Sequence, residues 1–143
     1  MNTESQLTRL YVPLRLCYGL VPIVAGADKF TNLLTDWSKY LPEMVSGMLP
    51  FDAGVFMMIV GVIEIVAGLA VLTKLTRLGG YVVAVWLVLI AVNVALAGYF
   101  DIAVRDVVMA LGAYTLSGLA AMRGERLLPS PGAGASRASS LAS

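Results

Sequence analysis

The sequence predicts an all-α, polytopic membrane protein: a four-transmembrane-helix bundle with an amphipathic interfacial segment between helices 1 and 2. Three observations carry that prediction. The chain is 59% apolar over 143 residues, with a mean hydropathy of +0.84, well above an ordinary soluble domain. Four segments, at about residues 7–27, 53–73, 78–98 and 102–122, are apolar for long enough to cross a hydrocarbon core. The ten-residue alternation that a membrane β-barrel needs is absent, so helices must satisfy the backbone in lipid. Residues 1–122 thus form one membrane domain with an outer loop at 28–52. Residues 123–143, rich in Pro, Gly, Ser and Ala, read as a flexible cytoplasmic tail.

The charges orient this bundle. Four spans place both termini on one side, with the turn between spans two and three. That side carries Arg9, Lys74, Arg77, Arg123, Arg126 and Arg137, against Lys29 and Lys39 on the other. The positive-inside rule puts the termini in the cytoplasm. Asp28, Asp36, Glu43, Asp52 and Asp101 then lie outside. A net charge of +1 provides no basic field for nucleic acid. The first span contains Pro13, Arg15 and Pro22, so it reads as a retained helix although Ala25-Gly26-Ala27 resembles a signal-cleavage site.

The second span organises the rest. Gly54, Gly61 and Gly68 repeat at heptad spacing and form a bare stripe on one helical face. Glu64 lies on that stripe, three residues after Gly61 and four before Gly68. A mid-membrane charge costs about 2.5–3.5 kcal/mol on insertion scales, so the stripe and its carboxylate should face other helices. The first span offers a matching face: Arg15, Gly19, Pro22, Gly26 and Lys29 recur at 4-3-4-3 spacing. Counted from the cytoplasmic ends, Arg15 lies roughly 9 Å deep and Glu64 roughly 13 Å deep. The arginine stem can span that difference, which makes Arg15 and Glu64 the candidate intramembrane ion pair. The alternative is an Arg15 that snorkels to the headgroups and a protonated Glu64.

In the outer loop, Leu33, Leu34, Trp37, Tyr40 and Leu41 fall at helical spacings, which predicts a short amphipathic helix on the outer surface. It reads more readily as a connector than as a lid. In the third span Asn93 wants an interhelical hydrogen bond. The fourth opens with Arg105 and Asp106, and Asp106, Ala110, Ala113, Ser117 and Ala120 or Ala121 form a small-residue face. Asp28, Lys29, Asn93, Arg105 and Asp106 share an outer level and form a candidate polar cluster, with Arg105 paired to a carboxylate.

The chain has no histidine and one cysteine, Cys17, which reads as a small buried hydrophobe. Bis-histidine haem, histidine relays, internal disulfides and CxxC redox pairs are thereby excluded. No metal-ligand cluster, phosphate loop or nucleophile motif is present. No cofactor is expected within the chain itself; redox chemistry would have to pass through a bound quinone or a partner's cofactor.

The run RLCYGLVPIVAGADKF, with Arg15, Gly19, Gly26 and Lys29, resembles the DoxX family of small bacterial membrane proteins. So do GVIEIVAGLAVLTKLTRLGG, around Glu64 and Gly68, and AVRDVVMALGAY at the opening of the fourth span. The resemblance covers about residues 10–122 and implies a four-helix protein of the bacterial inner membrane. Members similar to DoxD are the membrane subunit of a thiosulfate:quinone oxidoreductase, and others resemble accessory or scaffold subunits of redox complexes. The leading expectation is therefore an accessory subunit partnered by lipid and by other subunits or copies of itself. The alternative is a quinone-linked oxidoreductase subunit, with the inward Glu64–Arg15 pair near a quinone head group as proton donor and no catalytic residue otherwise identified. A small-solute transporter ranks third, because four helices leave little room for a path without oligomerisation.

Overall fold

A computed structural model describes residues 2–129. Five α-helices and one 3₁₀ turn follow in order: α1 (Thr3–Asp28), the turn Trp37–Tyr40, α2 (Glu43–Met48), α3 (Ala53–Leu72), α4 (Thr76–Leu96) and α5 (Phe100–Met122). The four long helices are each long and apolar enough to cross a membrane. Each packs on the next in sequence, and α5 closes back onto α1, giving an up-and-down bundle. Three spans begin earlier than their apolar runs, because Thr3–Gln6, Thr76–Arg77 and Phe100–Asp101 add polar or interfacial turns to them.

The helix ends are closed by specific bonds. Asp52 caps α3, its carboxylate accepting from the Gly54 amide at 2.8 Å. Gly98 after α4 and Gly124 after α5 both have positive φ. In each case two crossed backbone bonds complete a Schellman motif: Gly98 N–H to Ala95 and Tyr99 N–H to Val94, and likewise Gly124 to Ala121 and Glu125 to Ala120.

Glycines set the α1–α3 contact. A methyl at Gly26 would lie 2.5 Å from the Gly61 carbonyl oxygen, and one at Gly61 would lie 2.5 Å from that of Gly26. A methyl at Gly68 would strike the Gly19 carbonyl, so the two backbones touch along the whole shared face. Gly54 does not belong to this contact. A methyl there would meet only the Asp52 carboxylate, because α3 runs on past the outer end of α1. On the other side of the bundle, Gly80 of α4 seats against Ala113 and Ser117 of α5. The small-residue face of α5 is accordingly buried, with Ala113, Ser117 and Ala120 fully enclosed. Large apolar side chains such as Val66, Leu69, Val85, Val108 and Leu111 point outward instead. That inversion suits a hydrocarbon surround.

Two expectations about the connections fail. No helix spans residues 33–41; the turn Trp37–Tyr40 is 3₁₀, and α2 forms only beyond Pro42, with Leu33 and Leu34 exposed. Hydrogen bonds from the Leu33 and Leu34 amides to the Asp28 carboxylate take the place of helical ones. The start of the expected tail is also anchored: Tyr11 Oη donates to Glu125 Oε1 at 2.5 Å, and Arg123 donates to Thr8 Oγ1 at 2.6 Å. The rest of that tail, including Arg137, lies outside the described residues.

Candidate functional site

Glu64 lies buried in the middle of α3, and its partner is Lys29 rather than Arg15. The Lys29 Nζ donates to Glu64 Oε2 at 2.6 Å, with the two side chains 5% and 8% exposed. The glycine contacts explain how a residue at the end of α1 reaches mid-span. Helical side chains lean toward their own N-terminus. In this antiparallel pair Lys29 therefore leans inward and Glu64 leans outward, and they meet beside Gly61. The methylene root of Lys29 passes close to that glycine, 3.2 Å from where a methyl would sit. A larger residue at position 61 would block the path.

The outer loop covers this pair. The Trp37 ring lies over Lys29, its centroid 3.7 Å from Nζ, within cation–π range. Asp28 fixes the tryptophan, its carboxylate accepting from Trp37 Nε1 at 2.8 Å, Leu33 N at 2.9 Å, and Thr31 Oγ1 and Leu34 N at 3.1 Å. The turn is held on its far side by Asn93, whose Nδ2 donates to the Tyr40 carbonyl at 2.9 Å. Tyr40 also meets Tyr99 edge-on, with centroids 5.0 Å apart. Asn93 thus bonds the loop and not a neighbouring helix.

Arg15 serves the backbone. It donates from Nε to the Val71 carbonyl at 3.1 Å, and from Nη2 to those of Leu72 and Thr73 at 2.7 and 2.9 Å. Those oxygens are among the ones left open at the C-terminus of α3, where a cation also meets the negative end of the helix dipole. Buried Thr76 completes the cap, its Oγ1 donating to Val71 at 2.8 Å.

Of the five residues expected as one outer cluster, Asp28, Lys29 and Asn93 meet around the Trp37–Tyr40 turn. Asp28 and Asn93 hold the loop, and Lys29 turns inward. Asp106 is buried on α5 and joins neither ion pair of the described residues. Arg105 is exposed on α5 and forms no ion pair among the described residues. Cys17 is likewise exposed on the outer face of α1 rather than buried. Trp37 is the site residue that sequence reasoning missed. Its composition marks it as an interface anchor, and no spacing ties it to Lys29.

The site is thus one buried ammonium between an aromatic cover and a carboxylate. Such a set can hold a charge pair in a low-dielectric interior or exchange a proton. No group of three potential metal ligands is present among the described residues. Two surface hollows, one along Tyr81, Trp86 and Leu89 of α4 and one at the end carrying the termini, do not touch Glu64.

Among known proteins, the family model described as DoxX matches residues 10–96. No curated protein and no solved structure matches the chain.

Proposed function

The chain belongs to the DoxX family, and from that premise we propose that it is an accessory or scaffold subunit of a redox-linked membrane complex. The observation that supports this most directly is that the two cations on the inner face of α1 are both engaged within the chain. The buried Lys29 and Glu64 neutralise each other, Arg15 is spent on helix carbonyls, and α1 and α3 meet at backbone distance. The outside, by contrast, offers apolar helix faces, an exposed Arg105, and a loop whose Leu33, Leu34, Met44 and Met48 are all more than 60% exposed. An outer rim of that kind suits protein contact as well as headgroups. Extraction in mild detergent followed by cross-linking and native electrophoresis tests the proposal. Migration with a partner or as an oligomer is expected; a monodisperse monomer with no cross-linked neighbour overturns it.

A second reading is a quinone-linked oxidoreductase subunit. It is favoured by the buried Lys29–Glu64 pair, an ammonium and a carboxylate at hydrogen-bond distance inside the bundle, a composition suited to proton exchange. A quinone would supply the electron acceptance; this chain's share would be to hold a proton on Glu64, beside Lys29, or on the buried Asp106. Reconstituted protein whose quinone reduction survives both Glu64→Gln and Asp106→Asn would eliminate it.

A further inference from the structure

The end of the bundle that carries both termini has a hollow of about 280 Å³ between α1, the α3–α4 turn and the segment after α5. Arg15, Lys74 and Arg126 line it, with one carboxylate, Glu125, which is already engaged by the Tyr11 hydroxyl. Lys74 and Arg126 are exposed and form no ion pair among the described residues. Arg15 is held in place by its Nε and Nη2 bonds, which leave its charge unneutralised by any acid among the described residues. Three cations against one occupied carboxylate give the hollow an excess of positive charge, with Arg15 alone held in place. Its level identifies the anion. It opens where α3 ends, and just beyond it Val12 and Leu16 present exposed apolar side chains along α1.

We propose that this hollow binds the phosphate of an anionic phospholipid, with the acyl chains lying along the Val12–Leu16 face. The charge-bearing atoms are the Arg15 guanidinium, rigid on its carbonyls, and the mobile heads of Lys74 and Arg126. Basic pockets between membrane helices at the headgroup level bind such lipids by this chemistry. The site lies at the opposite end of α1 from the Lys29–Glu64 pair and does not depend on the function proposed for it.

The test uses the full chain in detergent, equilibrated with vesicles of equimolar phosphatidylglycerol and phosphatidylcholine and read by native mass spectrometry. Preferential retention of phosphatidylglycerol is expected. Lys74→Gln and Arg126→Gln should each weaken that preference about fivefold, and together about 25-fold. Both side chains are exposed, so an unchanged circular dichroism melt verifies folding. Arg105→Gln, at the other end of the bundle, should leave the preference intact. Undiminished preference in the double variant, or an equal loss in Arg105→Gln, overturns the site. A competition arm with inorganic phosphate separates the two sources of the anion. Failure to displace the lipid supports the assignment, and ready displacement overturns the lipid in favour of free phosphate.

Discussion

Replacing Lys29 by Met isolates the central ion pair. The substitution keeps the apolar stem and removes only the ammonium, so little of its effect comes from a cavity. Glu64 then loses its 2.6 Å partner where its side chain is only 8% exposed. Breaking a buried pair from one side costs about 3–5 kcal/mol. Loss of the ammonium from the Trp37 face, at 3.7 Å, adds about 0.5–2 kcal/mol. Glu64→Gln should cost less, because the amide oxygen can still accept from Lys29 and the indole contact survives. The informative variant is the double, Lys29→Met with Glu64→Met. With no charge left to strand, it should recover most of the loss and can exceed the parent, since apolar replacements of buried pairs are often neutral or stabilising by about 1–4 kcal/mol.

Thermal unfolding of the detergent-purified protein, followed by far-ultraviolet circular dichroism, would rank the four proteins. The expected order is parent and double variant highest, Glu64→Gln between, Lys29→Met lowest. A double variant no more stable than Lys29→Met alone would refute the reasoning, because the cost would then lie in packing around position 29. The double variant also separates the two functional readings. If it folds and still associates with its partners, the pair serves structure; if it folds and loses quinone reduction, the pair handles protons.

The remaining expectations concern the backbone contacts and the caps. Gly61→Ala places a methyl 2.5 Å from the Gly26 carbonyl oxygen and should destabilise by about 1–3 kcal/mol, whereas Gly118→Ala meets nothing within 4 Å and should stabilise by about 0.5–1 kcal/mol; paired melting curves check both. Arg15→Leu removes three charge-assisted bonds from the end of α3 and should lower stability by at least about 1.5–3 kcal/mol, with Arg15→Lys recovering only part because a single ammonium cannot reproduce the fork; the same melts measure it. Asp28→Ala frees Trp37 and the Leu33 and Leu34 amides together, so limited proteolysis in residues 30–42 should accelerate while the helices remain protected.

The four spans, their order and the small-residue faces were legible in the sequence because lipid imposes length and composition directly on each helix. Long-range pairing was not, and Arg15 shows why. Placing it opposite Glu64 assumed that α1 and α3 end at the same level, so that depth could be counted from each helix end. In the structure α1 begins at Thr3 and stops at Asp28, while α3 continues outward as far as Ala53. The helices are offset, and the offset is written in the glycines. Only one antiparallel register sets Gly26 against Gly61 and, two turns on, Gly19 against Gly68, and each of those pairs is in backbone contact. In that register Arg15 falls opposite Leu72, eight residues from Glu64, or about 12 Å along the axis. Its guanidinium accordingly reaches the Val71, Leu72 and Thr73 carbonyls and cannot reach the acid. Lys29, the other cation on the same face, is left as the charge that α1 can offer. Small residues therefore locate the partners of a buried charge more reliably than distance from the helix ends, because backbone contact fixes register and a long side chain only follows it.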